Sequence, residues 1–508
     1  MQKIGFLTDE LWYGGVVFHA DKYPLSKNDC YEFDTGVNES CNQFNPIFLS
    51  NKGRFFWCGN GGKVRFDHGT IEISNDEVKF ERAGKTLKEA SIAAAEKYYP
   101  ATGTTPDKRA FEAPQYCSWT VFLWKQNQEK ILRYARSIVE KGYKPGIIII
   151  DDTWQRAYGV WDFNKENFPD PHAMMKELKE LGFTVSMWLC PYVSPDAPYL
   201  SPGIFEHMEN KRVLTDGDKP KFIHWWEGYS AMLDFRQPSA VKWINEQTKF
   251  LEEEYGAEGF KLDGGDAMYT GIDYRDASLL SSLYIDCIDN PLKEARACYK
   301  LAGKPIIQRL NDKAHLWKNK PQDYLIGLEG VLPGMLTQGL VGYYYGCPDM
   351  IGGGMSSDFI DTSKLDSELI IRWCEASILM PMVQFSYDVW NHEENRVAEC
   401  CKKAMALREK LLPYIIELIE NASKTNQPVV RYMEYEFAED RFAGMKTQFM
   451  LGEAYLVAPV LDKDVTEISV EFPRGEWQDI ADGEIYTEGR HTVAAPIDKL
   501  PVFKKVVG

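Results

Sequence analysis

The chain has 508 residues and a formal net charge of −17, with 58 Lys and Arg against 75 Asp and Glu. Nucleic acid and anionic membrane surfaces are both bound through Lys and Arg, so we expect neither among its partners. At 44% hydrophobic and 26% charged residues, the composition is that of a globular protein with an ample core.

The first residues and the cysteines indicate the compartment. Residues 1–15 contain no long apolar segment, so we expect no signal peptide. The sequence also has no run of about 18 apolar residues, so we expect no transmembrane helix. The 11 Cys are scattered without a C-x-x-C pair, and the 8 His show no metal-binding spacing. We expect a cytoplasmic protein with free thiols, no bound metal and no cofactor.

Two β-rich regions flank the middle of the chain. Short strands broken by Gly, Asn and Asp predict an N-terminal β-sandwich-like domain over residues 1–105, with a helix from Thr86 to Tyr98. A long helix is predicted from Arg396 to Thr425. Further strands then predict a small antiparallel C-terminal β domain over residues 426–508.

Between these domains, over residues 106–425, strands and helices alternate. The candidate strands, in chain order, are CSWTVFLW, GIIIIDD, FTVSMWL, GFKLD, PIIQRL, YLIGLEG, VGYYYGC and PMVQFS. Eight alternating units over roughly 300 residues predict an α/β protein with a (β/α)8 TIM barrel. The alternative is a doubly wound open sheet, but no G-x-G-x-x-G turn follows the first strand.

Polar and aromatic side chains gather at the predicted strand ends, where TIM barrels place their chemistry. In strand order the candidates are Asp151, Asp152 and Trp154, then Trp188, then Lys261, Asp263 and Asp266, then Arg309 and Asp312 on the fifth strand, then Asp349 and Gln384. A purely structural role would favour apolar residues there. In GFKLDGGD, we expect the glycines after Asp263 to turn the backbone sharply and leave room for a ligand.

This combination is typical of glycoside hydrolysis, which needs a carboxylate and a carboxylic acid on either side of an oxocarbenium-like centre. Aromatic faces pack against sugar C–H surfaces, and further carboxylates accept hydrogen bonds from hydroxyls. The sequence has no P-loop and no G-x-S-x-G elbow. For any single Asp the alternative is a cap, a turn or a salt bridge, and for Asp312 it is a helix N-cap.

Six segments resemble glycoside hydrolase family 31, in the family's order, from about Tyr116 to the end of the chain. They are IIIIDDTWQ with its downstream FPDP, LDFRQPSAVKW, GFKLDGGD, GYYYGCPDMIGG, ELIIRWCEASILMPMVQFS, and the C-terminal YLVAPVLD, RGEWQDI and KLPVFKKVVG. RLND is similar to the R-x-x-D form of the α-galactosidase-like branch that includes the myogenesis-regulating glycosidase.

The resemblance implies a retaining α-glycosidase in which Asp263 is the nucleophile and forms a covalent glycosyl-enzyme intermediate. Asp312 would be the general acid and base, in a dry pocket that favours its protonated form. Arg309 would keep Asp263 ionised and bind a sugar hydroxyl. Substrate-binding roles are expected for Asp151, Asp152, Trp154, Trp188, Lys261, Asp266, Asp349 and Gln384.

The expected substrate is a small oligosaccharide or α-glycoside with a terminal α-galactose. Asp-Asp-x-Trp at 151–154 resembles α-galactosidases, in which two adjacent carboxylates grip the O4 and O6 hydroxyls. Both carboxylates reach one sugar only if the strand end is twisted or bulged, since neighbouring strand residues point to opposite faces. α-Glucosidase, α-xylosidase and α-N-acetylgalactosaminidase activities stay open, as does an inactive sugar-binding or scaffolding barrel. A homo-oligomer is also compatible with the sequence.

Overall fold

Eight parallel strands form a barrel at the centre of the computed structural model, which describes residues 2–200, 212–320 and 326–506. Successive strands pair in parallel from the first to the seventh, and the eighth pairs with the first. A parallel bridge between Met350 and Gln384 links the seventh and eighth strand regions. The strands are Gln115–Cys117, Ile147–Ile150, Thr184–Leu189, Gly259–Leu262, Lys293–Ala295, Ile307–Arg309, Gly346–Cys347 and Gln384–Phe385. This architecture confirms the predicted TIM barrel.

Helices follow most of the barrel strands. Several begin where the sequence supplies a side-chain cap: Asn127 accepts a hydrogen bond from the amide of Lys130, and Asp170 accepts one from that of Ala173. The helices are Gln128–Glu140, Pro171–Glu180, Pro238–Phe250 with a π-helical continuation over Leu251–Tyr255, Tyr274–Cys287, Val331–Leu340, Ser367–Ser377 and Asn395–Thr425.

Three predicted strand positions are wrong. The first strand is Gln115–Cys117, while most of the CSWTVFLW segment forms a short helix, Trp119–Phe122. The fifth strand is Lys293–Ala295, which the sequence analysis missed because it is short and mostly polar. Arg309 therefore ends the sixth strand rather than the fifth. In YLIGLEG, residues 324 and 325 lie outside the described residues, and Leu328–Gly330 is a 3₁₀ turn.

The N-terminal region consists of two antiparallel four-stranded sheets. Their apolar faces pack together, as the ring contacts of Phe48 with Phe33 and Phe66 show. The first sheet contains Gln2–Gly5, Thr70–Ile73, Lys63–Asp67 and Cys30–Asp34, and the second contains Trp12–Val16, Gln43–Ser50, Arg54–Trp57 and Phe80–Arg82. A helix, Leu87–Tyr98, follows, and its capping box is formed by Thr86 and Glu89.

The N-terminal sheet continues into the barrel. After the fifth barrel strand, a short strand, Cys298–Tyr299, pairs in parallel with Gln43 and Phe44. Residues 296–306, all of them described, contain no helix, so this connection replaces the usual barrel helix with a strand of the neighbouring domain. The two domains therefore share a sheet close to the C-terminal ends of the barrel strands.

The C-terminal region forms one antiparallel sheet of six strands. In spatial order these are Val430–Arg431, Phe449–Leu451, Tyr455–Val457, Val502–Lys505, Glu467–Asp479 and Ile485–Ala494. Its separate apolar cluster includes Met450, Phe472, Trp477 and Phe503. Among the described helices, none combines the length and the apolarity that a membrane span requires.

Candidate active site

The C-terminal ends of the barrel strands open into a cavity of about 700 Å³. Its wall contains many of the side chains predicted from the strand ends: Asp151, Asp152, Trp188, Lys261, Asp263, Asp266 and Asp312. Asp263 and Asp312 thus face one shared cavity rather than two separate ones. A cavity of this size fits a small sugar ligand rather than a macromolecule.

The turn after Asp263 has the conformation that its glycines predict. Gly264 and Gly265 both have positive φ angles, +71° and +77°. A Cβ atom at Gly264 would lie 2.8 Å from Cε2 of Tyr192, and the amide of Gly265 donates to the Tyr192 hydroxyl at 3.0 Å. Glycine is needed here for both the backbone angle and the close approach, and the turn leaves Asp263 at the cavity.

The two oxygens of the Asp263 carboxylate have different surroundings. Oδ1 accepts hydrogen bonds from the Gly264 amide at 2.9 Å and from Nε of Arg296 at 3.1 Å. Oδ2 accepts one longer bond, 3.3 Å, from the indole of Trp188. Burial alone would raise the pKa of Asp263, but the nearby cations Arg296, Lys261 and Arg309 hold it well below its ordinary value. Asp263 is therefore a charged carboxylate held in a fixed orientation.

Arg296, which the sequence analysis missed, joins two carboxylates of the wall. Its Nη1 and Nη2 atoms lie 2.8 Å and 3.0 Å from the two oxygens of Asp266, while Nε contacts Asp263. Asp266 has no exposed surface, and both of its oxygens accept from Arg296, so its carboxylate serves to hold that guanidinium. Burial raises the pKa of Asp266, and the contact with Arg296 opposes that shift.

Asp312 does not lie in the dry pocket that its predicted role requires. Its side chain is 38% exposed, and Oδ1 accepts a hydrogen bond from Nη1 of Arg309 at 2.6 Å. Arg309 itself contacts Asp312 rather than Asp263 directly, and is almost fully buried. Because Asp312 follows the sixth strand and Asp263 the fourth, the fifth strand separates them.

Asp151 and Asp152 both reach the cavity because the second barrel strand ends at Ile150, before either of them. Asp151 forms a buried ion pair with Lys261, with 2.7 Å between Oδ2 and Nζ. Asp152 accepts hydrogen bonds from the Gln155 amide and the Tyr158 hydroxyl, each at 2.9 Å. Burial raises the pKa of Asp152 to about 7, although these hydrogen bonds oppose the shift. Both side chains therefore line the same cavity, and their contact with a single sugar stays a prediction.

Four predicted substrate-binding residues lie beneath or behind the wall, so their predicted role is not supported. Trp154 is fully buried, and its ring stacks on Trp161. The other three, Arg309, Asp349 and Gln384, form a buried network around Glu294, a residue of the missed fifth strand. Glu294 contacts both Arg309 and Gln384, while Asp349 accepts from Nη1 of Arg309 at 2.7 Å.

This network lies under the cavity and shows local backbone strain. Asp349 has a φ angle of +87°, which is rare for a residue other than glycine, and its Oδ2 accepts from the Lys313 amide at 2.8 Å. Burial raises the pKa of Asp349 to about 6, against the opposing effect of Arg309. The network reaches Asp312 through Arg309, whose Nη1 atom donates to both Asp349 and Asp312.

Aromatic residues on loops complete the cavity, and the strand-end analysis could not find them. Trp124 follows the first barrel strand, and its indole donates to Oε1 of Glu227 at 3.1 Å. Trp226 and Glu227 form the turn between two antiparallel strands, Phe222–Trp225 and Gly228–Met232. The alternation in FIHWWEGYSAM around a glycine is a hairpin signal that would have indicated this turn, but not its position over the cavity.

Residues 41–43 of the N-terminal domain form hydrogen bonds with residues at the ends of the fifth and sixth barrel strands. The carbonyl of Cys41 accepts from Nη1 of Arg296 at 2.8 Å. Asn42 exchanges two hydrogen bonds with Asn311, and the Gln43 amide donates to the carbonyls of Arg296 and Arg309 at 2.6 Å and 2.8 Å. We call residues 41–43 the N-terminal clasp. Through it, another domain sets the positions of residues on the fifth and sixth strand ends.

Comparison with known proteins gives matches along most of the chain. The glycosyl hydrolase family 31 TIM-barrel domain matches residues 108–280 and 313–418, and the family's C-terminal domain matches residues 426–506. The myogenesis-regulating glycosidase of Mus musculus is 30% identical over 406 residues, covering 77% of this chain and 55% of the mouse protein. The alpha-xylosidase XylQ of Lactiplantibacillus pentosus is 25% identical over 489 residues, covering 88% of this chain and 60% of that protein. The chain thus spans little more than half the length of these relatives.

Solved structures show the same fold at lower identity. A Flavobacterium johnsoniae dextranase complexed with glucose superimposes with a TM-score of 0.80 at 18% identity, covering 99% of this chain and 66% of the dextranase. An alpha-xylosidase from a soil metagenome, complexed with xylose, superimposes with a TM-score of 0.78 at 19% identity, covering 100% of this chain and 79% of the xylosidase. The matched domain segments contain Asp263 but not Arg296, Arg309 or Asp312, which lie between residues 280 and 313. From the matched domains and the shared barrel, the chain belongs to glycoside hydrolase family 31.

Proposed function

We propose that this chain is a retaining, exo-acting α-glycosidase that hydrolyses terminal α-galactosides. The observation that carries the proposal is the charged, oriented carboxylate of Asp263 in a cavity that also contains Asp312 and the Asp151–Asp152 pair. In a double displacement, Asp263 attacks the anomeric carbon while an acid protonates the leaving oxygen, and water then releases the sugar.

Asp312 is the proposed acid and base. It faces the same cavity as Asp263 and is exposed enough to meet both the leaving oxygen and the incoming water. Because its side chain is 38% exposed, the acid role requires that a bound aglycone exclude water from Asp312. Asp266 and Asp349 are poorer acids, because both are fully buried and paired with an Arg.

Asp151 and Asp152 support galactose as the sugar. Both side chains line one cavity, as gripping neighbouring sugar hydroxyls requires. Asp151 is paired with Lys261, and burial raises the pKa of Asp152 to about 7. One of them can therefore both accept and donate hydrogen bonds near neutral pH.

The charges of the cavity favour a neutral sugar. Among the described wall residues the cations are Lys261 and Arg296, and both are already paired with carboxylates. An anionic sugar would therefore meet Asp152 and Glu227 without a free cation to balance its charge. This argues against substrates of the type named for one relative, a sulfoquinovosidase of Escherichia coli.

A panel of 4-nitrophenyl α-glycosides tests the proposal. We expect release of nitrophenol from the α-galactoside at a rate well above that from the α-glucoside, the α-xyloside and the α-N-acetylgalactosaminide. Faster release from the glucoside or xyloside would overturn the sugar assignment and keep the mechanism; two relatives are named as an alpha-xylosidase and an alpha-glucosidase. No release from any member of the panel would favour a sugar-binding or scaffolding barrel.

A further inference from the structure

Arg296 contacts more groups than a simple ion pair between one cation and one carboxylate does. It is buried, it reaches Asp263 and Asp266 together, and the Cys41 carbonyl of the N-terminal clasp accepts from it. Its guanidinium carbon also lies 5.9 Å from the ring centroid of Trp226. The matched family segments end at residue 280 and resume at residue 313, so Arg296 lies outside them.

The contact is made with only one oxygen of Asp263. Both Nε and Nη2 of Arg296 lie 3.1 Å from Oδ1, and the Gly264 amide donates to the same atom. Oδ2 keeps the single, longer bond from Trp188. Since hydrogen bonds and charge concentrate on Oδ1, Oδ2 is the oxygen that is available to react.

We propose that Arg296 is the positioning residue of the nucleophile: it locks Oδ1 of Asp263 and leaves Oδ2 to attack the anomeric carbon. This inference rests on the proposed function. Oδ2 supplies an electron pair to the anomeric carbon and forms the new C–O bond. The bond from that carbon to the leaving oxygen breaks at the same time, and the leaving oxygen takes a proton from the acid.

Arg296 also provides part of the positive charge around Asp263. Because the fixed guanidinium favours the carboxylate over the carboxylic acid, Asp263 stays ready to react at acidic pH. The charged or titratable groups that face Asp263 are Arg296, Lys261, Arg309, Asp266, Cys190 and Tyr284. Only Arg296 among these donates directly to the Asp263 carboxylate in the described residues.

The first experiment compares the pH dependence of kcat/KM for wild type, Arg296→Gln and Arg296→Lys. Arg296→Gln should lower kcat/KM by about 10²-fold or more, as loss of a preorganised charged donor does. The acid limb of its pH profile, where kcat/KM falls as the pH is lowered, should move to higher pH by about 1 unit or more. This is the size expected for loss of a neighbouring guanidinium. Arg296→Lys should keep the limb closer to wild type but recover little rate, because one ammonium cannot hold two carboxylates in a fork.

Asp266→Asn is the matched control. It removes the charge of the other anion bound by Arg296 but keeps an amide oxygen that accepts from Arg296 beside Asp263, so the acid limb must not move upward. An unchanged limb in Arg296→Gln would overturn the proposal, and so would an equal upward shift in Asp266→Asn.

A second measurement does not depend on activity. In Arg296→Gln, buried Asp263 and Asp266 lose their cation, so the Tm deficit against wild type should be largest near neutral pH. The deficit should shrink as the pH falls and these carboxylates take up protons. A deficit that is constant with pH would show packing alone and contradict the proposal. If wild type cleaves no α-glycoside, the proposed function fails, while this measurement still decides whether Arg296 keeps the buried pair Asp263 and Asp266 charged.

Discussion

The carboxylates on the two sides of the cavity differ in their hydrogen bonds and in their exposure to solvent. At the fourth strand, Asp263 is held by a backbone amide, an indole and a guanidinium, and its side chain is 13% exposed. At the sixth strand, Asp312 has one Arg contact and is 38% exposed. A nucleophile benefits from fixed donors and permanent charge, whereas a group that gives up and regains a proton needs access to the leaving oxygen and to water. The contrast matches the two proposed roles.

The largest effect is expected at Asp263. Asp263→Asn keeps the shape and the donors but removes the nucleophilic charge, so turnover of the best 4-nitrophenyl α-glycoside should fall by about 10⁴-fold or more. Steady-state assays with a folding check by circular dichroism measure this. A folded variant with about a tenth of the wild-type rate would remove Asp263 from the mechanism.

Asp312→Asn should show a loss that depends on the leaving group. Turnover of natural α-glycosides should fall by about 10²–10⁴-fold, because their leaving oxygen needs a proton. Turnover of substrates with an activated phenol should fall far less. The ratio of the two rates is the measurement.

The matched comparison is Asp323→Asn, since Asp323 is the other aspartate between Arg309 and Glu329 in the sequence. If this variant shows the dependence on the leaving group and Asp312→Asn does not, Asp312 loses the acid role.

Lys261→Met tests the charge balance beneath the sugar-binding side. Lys261 and Asp151 are both nearly fully buried, so removing the cation leaves an uncompensated charge and should cost about 3–5 kcal/mol of unfolding free energy. Urea denaturation at pH 7 measures the change. In the double variant Lys261→Met with Asp151→Asn, the stranded charge is gone and much of the loss should be recovered; equal losses in both variants would contradict this account.

Asp152→Asn should give the smallest effect, a gain in Tm over wild type that appears only as the pH rises. The pKa of Asp152 is raised to about 7 in the folded chain, so the wild type loses stability as the pH rises from the ordinary Asp value to about 7. The Tm of the variant should therefore match wild type near pH 4 and exceed it by a few degrees at pH 8. A Tm difference that does not change with pH would contradict the shift.

The barrel and the place of Asp263 at its cavity were predictable because their signals are local. A buried strand, Gly259–Leu262, followed by Asp263 and two glycines, carries strand, functional group and turn in eight residues, GFKLDGGD. Likewise the four isoleucines of Ile147–Ile150 predict a strand buried on both faces. Both strands lie within the barrel, where all of their residues are buried.

The remaining site residues depend on contacts between distant segments. The fifth strand, Lys293–Ala295, is three residues long, and the buried Glu294 within it is stabilised by Arg309 and Gln384 rather than by an apolar pattern. Arg296 follows that strand and was missed with it. Trp124 and Trp226 come from loops whose positions over the cavity no local pattern encodes.

The N-terminal clasp has a consequence for redesign of this barrel. Cys41 and Gln43 contact the strand ends that carry Arg296 and Arg309, so part of the geometry of the proposed active site is encoded some 250 residues away from the groups that it orients. Grafting these barrel loops onto another scaffold would transfer the carboxylates without the part that aligns them. A transplant of this chemistry has to carry residues 41–43 along with the barrel.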